Sequence, residues 1–405
     1  MSSFAHVEVA PPDALFNLSA QYKQDTHPDK VDLGIGAYRT EEGQPWVLPV
    51  VRTIEAQMAS DPMLDHEYLP ILGLRAFRDA ATRLLLGADS PAITKNRVCS
   101  VQTVSGTGAL RLGLDFLFSK YHAKTVYLPS PTWGNHAAIL KQVGYKDVRQ
   151  YAYYKEETRG LDIEGMIRDL EASPDGAVVL LHACAHNPTG VDPTKDEWRR
   201  ILAVVKEKKL FPFFDCAYQG FASGDVDEDA WCVRQCVKEG SELFVAQSFS
   251  KNFGLYNERV GQLCVVLSSA SYVAPVLSQL EILSRRMWSN PPNHGVRIVT
   301  IALNNPSLYQ DWLENLGCMV ERIKTMRMEL YKLLKAKGTP GSWEHIVKQI
   351  GMFTFTGLTR AQCEYLQTKC HIYLLDNGRI SMSGLNHKNL EYVAQSMHDA
   401  VTTVQ

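Results

Sequence analysis

The sequence lacks the features that mark several large classes of protein. Its charge is nearly balanced, with 42 Lys and Arg residues against 44 Asp and Glu residues, so no basic surplus indicates a nucleic-acid partner. No apolar run reaches the length that crosses a bilayer, so we expect no membrane partner. The first ten residues have neither a basic region nor a long apolar core, so we expect no targeting peptide and a cytoplasmic protein.

Cysteine usage argues against both a disulfide framework and a zinc site. The nine cysteines are odd in number, scattered and without a CxxC pair, which favours reduced thiols. Cys232 and Cys236 are one helical turn apart, but no second ligand pair follows them. His182 and His186 span a strand end and a proline turn, where two imidazoles need not share a face. We therefore predict no metal.

The chain does contain enough apolar residues, 45% of 405, to bury a large core. Between residues 102 and 266, apolar runs of strand length alternate with segments of helical period, which is typical of an α/β fold with a mainly parallel sheet covered by helices. The predicted strands are 125–128, 148–151, 177–181, 211–214, 243–246 and 263–267. The predicted crossover helices are 135–143, 163–170, 197–208 and 229–238. Loops at the carboxyl ends of such strands surround a crevice where functional groups collect.

The pattern changes after Val266 and predicts a second, smaller α+β domain. A long helix is predicted from Ser307 to about Lys337, followed by a Gly- and Pro-rich loop. Short strands at 352–355 and 372–375, a helix at 359–370 and a final helix from Asn386 follow. The opening segment is too short for its own core, so we expect it to join the smaller domain. The predicted division is an N-terminal arm (1–12), part of the small domain (13–45), a large cofactor-binding domain (46–318) and a small C-terminal domain (319–405).

The most informative segment is SFSKNFGLYNER, from Ser248 to Arg259. It places Lys251 after an apolar run, between the hydroxyls of Ser248 and Ser250, with Arg259 eight positions on. A lysine in this setting can form a Schiff base with an aldehyde cofactor while hydroxyls and a guanidinium hold a phosphate. The alternative is an exposed lysine on a loop after a strand.

Two further segments fit an anionic, aromatic cofactor. Ser105, Gly106 and Thr107 open a predicted helix, whose free N–H groups and dipole favour an anion, although ordinary helix capping is the alternative. Asp215 ends the aromatic strand FFDCAY and can stay ionised beside a protonated pyridine nitrogen, although a turn carboxylate is the alternative.

Asn187 and two arginines are the remaining candidates from the residues themselves. Asn187, in NPTG, can donate its amide to a phenolate-like oxygen, and Pro188 favours a tight turn that could be cis. Arg379, and Arg285 or its neighbour Arg286, have guanidinium forks that match carboxylates. Two such forks would select a dicarboxylic substrate, whereas each arginine alone could be a surface ion-pair partner.

Taken together, these segments resemble the aspartate aminotransferase family, the class I aminotransferases that use pyridoxal phosphate (PLP), in its cytoplasmic type. The resemblance covers nearly the whole chain. It is carried by GAYRTEEGQPWVLPVV, HEYLPILGL, VSGTGALRLG, PSPTWGNH, HACAHNPTG, FFDCAYQGF, SFSKNFGLYNERVG, WSNPP and NGRISMSGLN.

The resemblance implies a role for each matching position. It makes Lys251 the Schiff-base lysine and proton shuttle, and Asp215 the partner of the pyridinium nitrogen. It implies that Trp133 stacks on the cofactor ring, and that Gly36 lies in a mobile segment that touches substrate. The implied donors to the phenolic oxygen are Tyr218 and Asn187. The implied phosphate site comprises Ser105, Gly106, Thr107, Ser248 and Arg259, with Tyr68 from a neighbouring subunit. Ser250 is also implied to bind the cofactor. The implied carboxylate receptors are Arg379 and, across the dimer, Arg285, which is distinguished from Arg286 by register alone.

The resemblance also implies the fold and the reaction. We expect a fold-type I PLP enzyme with a seven-stranded sheet, acting as a homodimer with shared active sites. The expected reaction converts L-aspartate and 2-oxoglutarate to oxaloacetate and L-glutamate by a ping-pong mechanism. A PLP lyase or a transaminase for aromatic or cysteine-derived amino acids would share the lysine and the acid. A binding protein on a transaminase scaffold is the non-catalytic alternative.

Overall fold

The computed structural model describes residues 2–404, and their strands and helices alternate along most of the chain. The strands are β1 (Val31–Asp32), β2 (Val98–Val104), β3 (Thr125–Ser130), β4 (Asp147–Ala152), β5 (Tyr154–Lys155), β6 (Gly160–Leu161), β7 (Val178–His182), β8 (Phe211–Cys216), β9 (Leu243–Ser248), β10 (Val260–Val266), β11 (Phe353–Phe355), β12 (Ile372–Tyr373) and β13 (Arg379–Ser381). The helices are α1 (Ala14–Gln24), α2 (Pro49–Ser60), α3 (Arg75–Leu86), α4 (Pro91–Thr94), α5 (Ser105–Ser119), α6 (Asn135–Val143), α7 (Ile163–Glu171), α8 (Lys195–Glu207), α9 (Val226–Asp229), α10 (Trp231–Lys238), α11 (Val273–Met287), α12 (His294–Asn304), α13 (Pro306–Ala336), α14 (His345–Lys348), α15 (Arg360–Cys370) and α16 (Leu390–Thr403).

Seven strands form the central sheet in the order β2-β10-β9-β8-β7-β3-β4. All are parallel except β10, which runs antiparallel to both of its neighbours. The sheet therefore confirms the predicted α/β class and the mainly parallel, seven-stranded arrangement. Strand β10 lies between β2 and β9 and is antiparallel to both, so β2 runs in the same direction as β9 and the other parallel strands. The carboxyl ends of these six strands therefore lie at the same edge of the sheet.

Alternating strand residues explain why helices cover both faces of the sheet. Val178 and Leu180 pack with α5, α6 and α11 on one face, whereas Val179 and Leu181 pack with α7, α8 and α10 on the other. Successive side chains of a strand point to opposite faces, so a strand that is apolar throughout must be covered twice.

The six strands predicted from the sequence are all present, but β2 is missing from that prediction. Its sequence, VCSVQTV, carries polar residues that the structure buries, including Gln102 and Thr103. The Gln102 side chain accepts a hydrogen bond from Leu74 N and donates one to Pro292 O. Buried polar side chains, whose partners can be far away in the sequence, therefore concealed a central strand from the apolar-run criterion.

The C-terminal part is built around short strands and a long helix. Strand β11 pairs antiparallel with β13, and β1 pairs in parallel with β12, so the opening segment contacts the C-terminal part. The domain division remains a prediction, and its boundary at residues 318 and 319 lies inside the continuous helix α13. Residues 2–12 form turns and irregular structure. No helix within residues 2–404 is both long and apolar enough to span a bilayer.

Candidate active site

A cavity of about 430 Å³ opens at the carboxyl edge of the central sheet. All the predicted site residues except Tyr68 and Arg285 line it. They are Gly36, Ser105, Gly106, Thr107, Trp133, Asn187, Asp215, Tyr218, Ser248, Ser250, Lys251, Arg259 and Arg379. Most of them follow the ends of β2, β3, β7, β8 and β9, and Arg259 precedes β10. Sheet topology thus brings together residues that are far apart in the sequence.

The start of α5 forms a pocket that suits an anion. Ser105 has a φ of 63°, which turns the chain sharply from β2 into the helix, whose N-terminus favours an anion. The Ser105 N–H donates to Arg259 O at 3.0 Å, and the Thr107 N–H donates to the Ser105 hydroxyl at 3.3 Å. The Ser105 hydroxyl accepts a 2.6 Å hydrogen bond from Arg259 Nη2. A Cβ at Gly106 would lie 2.9 Å from the Ser248 Cβ, so only glycine lets the helix start approach β9 this closely. The arrangement is a compact cradle with a guanidinium on one side.

Asp215 is a buried carboxylate held by an imidazole. Its Oδ2 lies 2.9 Å from His136 Nε2, and His136 Nδ1 lies 2.8 Å from the Thr132 hydroxyl. Burial acts to raise the pKa of Asp215, but the His136 hydrogen bond and the nearby positive charge of Lys251 outweigh it, so the pKa lies below its ordinary value. The carboxylate is therefore ionised and available to a second cation.

Lys251 lies half-buried in the cavity, and within residues 2–404 its amine has no hydrogen-bond partner. The nitrogen is 5.1 Å from the centre of the Tyr218 ring. Burial lowers the pKa of Lys251. The negative charge of Asp215 opposes this effect, and the positive charges of Arg259 and Arg379 add to it. A lowered pKa increases the share of neutral amine, which is the form that attacks carbonyl carbon and accepts protons.

Arg379 is the buried guanidinium of the cavity, whereas Arg259 is half-buried. It donates to Gly34 O at 2.7 Å and to Asn187 Oδ1 at 3.3 Å, and its Cζ lies 4.0 Å from the centre of the Phe353 ring. Burial lowers its pKa to about 10, so it stays charged at neutral pH. The Asn187-Pro188 peptide bond is cis.

The charge of the cavity is strongly unbalanced. Lys251, Arg259 and Arg379 contribute three cations, and none of them has an ion pair to a carboxylate in the described part of the chain. Asp215 is the one carboxylate that lines the cavity, and its partner is His136. Buried charge without compensation is costly, so such a cavity is suited to a ligand that carries several negative charges.

The chemistry of these residues matches that of PLP. A phosphate matches the α5 N-terminus, its hydroxyls and Arg259. The lowered pKa of Lys251 favours the unprotonated amine that an aldehyde needs, and the ionised carboxylate of Asp215 matches a protonated ring nitrogen. Trp133 supplies an aromatic face in the same cavity. Tyr218 has a pKa raised by burial, so it keeps its proton and can donate a hydrogen bond.

Tyr68 and Arg285 lie outside the cavity. Tyr68 is 83% exposed, and Arg285 is exposed near the end of α11, where it donates a hydrogen bond to the Ser289 hydroxyl. Arg286 is exposed as well. The roles given to Tyr68 and Arg285 by resemblance thus require a second copy of the chain, as that resemblance implied.

Several cavity residues were not assigned by sequence reasoning. They are Tyr256 and Phe353, together with His182, which had been considered only as a metal ligand. His136, which is fully buried and hydrogen-bonded to Asp215, was not assigned either. Burial, followed by the charge of His136, lowers the pKa of His182 to about 3, so this imidazole is neutral. In the sequence, His136 lies three residues after Trp133, near the start of α6, and this spacing was the available indication that His136 belongs to the site.

The histidines and cysteines examined for metal binding have other surroundings. His186 stacks on Tyr153 with ring centres 3.8 Å apart, and Cys232 Sγ donates to Ala183 O at 3.2 Å. Within residues 2–404, no group of three or more His, Cys, Asp or Glu side chains is placed to hold a metal ion.

Comparison with known proteins agrees with this geometry. Residues 28–397 match the family model described as aminotransferase class I and II. A cytoplasmic aspartate aminotransferase of Gallus gallus is 56% identical over 100% of this chain and 99% of its own length.

Two solved structures are similar over nearly their whole length. One is the aspartate aminotransferase from the cytoplasm of Saccharomyces cerevisiae, with a TM-score of 0.97, 43% identity, and coverage of 100% of this chain and 99% of that one. The other is an aromatic-amino-acid aminotransferase of Burkholderia pseudomallei covalently bound to PLP, with a TM-score of 0.96, 41% identity, and coverage of 99% and 100%. The predicted family is confirmed: the chain belongs to the class I and II aminotransferases.

Proposed function

We propose that the chain is a PLP-dependent aspartate aminotransferase that interconverts L-aspartate and 2-oxoglutarate with oxaloacetate and L-glutamate. The observation that carries the proposal is the cavity with three cations and a single carboxylate, Asp215. A cofactor phosphate and a substrate carboxylate together would balance this charge. The identity of 56% to the Gallus gallus aspartate aminotransferase supports the choice of substrate, and that relative's description as cytoplasmic supports a location in the cytoplasm.

The residues that would hold the cofactor follow from the geometry of the cavity. Ser105, Gly106 and Thr107 would bind the phosphate through the helix N-terminus, together with Ser248, Ser250 and Arg259. Asp215 would accept the hydrogen bond of the ring nitrogen, while Tyr218 and Asn187 would donate to the phenolic oxygen. When bound, PLP supplies an electron-accepting ring that stabilises the charge left when the substrate α-carbon loses its proton.

Lys251 is the proposed catalytic base. Its amine would bind the cofactor aldehyde and, once the substrate amine has displaced it, would take the proton from the substrate α-carbon. The lowered pKa of Lys251 favours the neutral amine that this step needs. The carboxylate of Asp215 keeps positive charge near the ring, and its buried position limits competition from water.

Substrate specificity is assigned to two arginines. Arg379 would bind the α-carboxylate, because its guanidinium is buried in the cavity and has no acidic partner in residues 2–404. Arg285 would bind the second carboxylate and would come from another copy of the chain, because it lies outside its own cavity. We therefore propose a homodimer with shared active sites, in which Tyr68 of the second copy reaches the phosphate.

Aromatic amino acids are a second candidate class of substrate. The mouth of the cavity is lined by Leu15, Phe16 and Ile35, which would pack against an apolar side chain. The similar Burkholderia pseudomallei structure is that of an aromatic-amino-acid aminotransferase. A transaminase with this cavity could therefore accept both classes through one Arg379 site.

The proposal is tested by measuring oxaloacetate formation from aspartate and 2-oxoglutarate with the PLP-loaded protein. We expect turnover with aspartate at a kcat/KM well above that with phenylalanine, and no turnover by Lys251→Ala with its fold retained. A preference for phenylalanine would favour the aromatic candidate. A lack of turnover with both amino acids, or ordinary activity of Lys251→Ala, would contradict the proposal.

A further inference from the structure

A second buried arginine, Arg327, lies outside the active-site cavity in the middle of α13. Its side chain is 3% exposed, and within the described chain it has no carboxylate partner. Burial lowers its pKa to about 9, so it remains charged at neutral pH. A buried guanidinium without an acidic partner destabilises the fold, unless its hydrogen bonds serve another role in the structure.

All the acceptors of Arg327 belong to one short segment, residues 346–354. The guanidinium donates to Ile346 O at 2.9 Å, to Gly351 O at 2.8 Å and to Phe353 O at 2.5 Å. It also donates to the Thr354 hydroxyl. One rigid, planar group therefore fixes both ends of a segment that contains only the short helix α14 and the start of β11.

This segment ends at the substrate side of the active site. Phe353 lines the cavity, and its ring centre lies 4.0 Å from Arg379 Cζ. Strand β11 pairs with β13 so that Phe355 lies opposite Arg379. The position of the Arg379 guanidinium thus depends on a strand whose first carbonyl is bound by Arg327.

The fold also gives this segment room to move if Arg327 is removed. A separate cavity of about 280 Å³ lies beside the arginine and is lined mainly by apolar side chains, among them Phe221, Val320 and Ile350. Close packing alone would not hold residues 350–351 against an open space of this size. The hydrogen bonds of Arg327 supply the missing constraint.

We propose that Arg327 is a positioning residue for the substrate carboxylate, acting through Phe353 on Arg379. The inference rests on the proposed function, because it takes the Arg379 site to be the receptor for a carboxylate. Arg327 touches neither the cavity nor Lys251, so it affects how tightly substrate is bound more than how fast bound substrate reacts.

The experiment compares Arg327→Met and Arg327→Lys with Lys332→Met, an exposed position on the same helix. The probe is succinate, a dicarboxylate that has no amine to react, and its Kd is measured by calorimetry on the PLP-loaded protein. Steady-state KM and kcat for aspartate and 2-oxoglutarate are measured alongside.

We expect Arg327→Met to raise the succinate Kd and both KM values about tenfold, the effect of losing about one charge-assisted hydrogen bond, with kcat within about twofold. Arg327→Lys keeps the positive charge but loses the planar guanidinium, so we expect a smaller rise in the succinate Kd. We expect no change in the succinate Kd for Lys332→Met. A lower melting temperature with unchanged succinate Kd and KM would reduce Arg327 to a purely structural role and overturn the proposal.

A double-mutant cycle tests whether the effect passes through Phe353. We expect Arg327→Met and Phe353→Leu to raise the succinate Kd by less together than the product of their separate effects. Effects that simply multiply would overturn the proposed route. If Arg327→Met does not fold, Thr354→Val removes one of the four acceptors, and an unchanged succinate Kd in that variant would overturn the proposal.

The outcomes are separable from those that test the proposed function. A wild-type protein that binds succinate without transaminating aspartate would contradict the proposed reaction and leave the Arg327 measurement valid. A wild-type protein that transaminates while Arg327→Met binds succinate normally would contradict only the role of Arg327.

Discussion

His136 Nε2 and Asp215 Oδ2 are hydrogen-bonded at 2.9 Å, and both side chains are buried. Because an ionised carboxylate can only accept, the imidazole must carry its hydrogen on Nε2. This bond holds the carboxylate in place and lowers its pKa against the opposing effect of burial. His136, a residue on α6, thus positions the acid that would face the cofactor ring and favours its ionised form.

Removing this hydrogen bond should weaken catalysis without removing the acid. We expect His136→Ala to lower kcat/KM for aspartate about 10- to 100-fold, because a hydrogen bond to a charged group contributes about 1.5–3 kcal/mol. His136→Gln keeps an N–H donor at a similar distance and should retain most of the activity. Steady-state kinetics of both variants are the measurement, and equal losses in the two would argue against a role for the donor.

Arg259 should contribute to cofactor affinity through the phosphate alone. We expect Arg259→Met to raise the Kd of the cofactor-free protein for PLP about 10- to 100-fold through lost charge-assisted hydrogen bonds. Binding of pyridoxal, which has no phosphate, should be unchanged. Arg75→Met is the matched control, because the Arg75 side chain is 85% exposed on α3. An equal loss of affinity for both ligands would contradict a phosphate-specific role.

Arg285 should determine the preference for a second carboxylate. We expect Arg285→Asp to raise the KM for aspartate about 100-fold, which corresponds to roughly 3 kcal/mol, and to improve turnover of arginine or lysine. Arg286→Asp changes the same charge one position away and should have little effect. Unchanged aspartate kinetics in Arg285→Asp, with a loss in Arg286→Asp, would move the assignment to Arg286.

Acid destabilisation should depend in part on His345. Burial, followed by the charge of Arg159, lowers its pKa from 6.5 to about 4, so the folded protein favours the neutral imidazole. Stability from this group is complete above pH 6.5 and is lost as the pH falls toward 4, because the unfolded chain then binds more protons.

We expect protonation of His345 in the unfolded chain to lower the free energy of unfolding by about 2 kcal/mol between pH 7 and pH 5. Urea unfolding at the two pH values measures it, and we expect His345→Gln to show a correspondingly smaller difference between them. An equal difference in the variant and the wild type would show that His345 is not the titrating group.

Local sequence patterns predicted six of the seven strands of the central sheet and several residues of the cavity. A run such as AVVLL (177–181), which is apolar throughout, can only be buried on both faces, and this predicted β7 and the helices around it. The polar strand β2 was missed because its Gln102 and Thr103 are satisfied by contacts that exist only in the folded chain.

Local patterns could not predict pairings between distant residues either, because these contacts also exist only in the folded chain. The contact of His136 with Asp215 joins positions 79 residues apart, and that of Arg379 with Gly34 joins positions 345 residues apart. The residue types and their local patterns made Asp215 and Arg379 candidates, but their partners His136 and Gly34 were identified from the structure. The roles of Tyr68 and Arg285 remain predictions, because they depend on a second copy of the chain.

The most direct test of the account is borohydride reduction of the PLP-loaded protein followed by peptide mapping. Borohydride converts a carbon–nitrogen double bond into a stable single bond and so fixes the cofactor on the amine that holds it. We predict a pyridoxyl label on Lys251, within the peptide from Ser248 to Arg259, and no label at that peptide in Lys251→Ala. A label on another lysine, or none on protein saturated with PLP, would contradict the central claim.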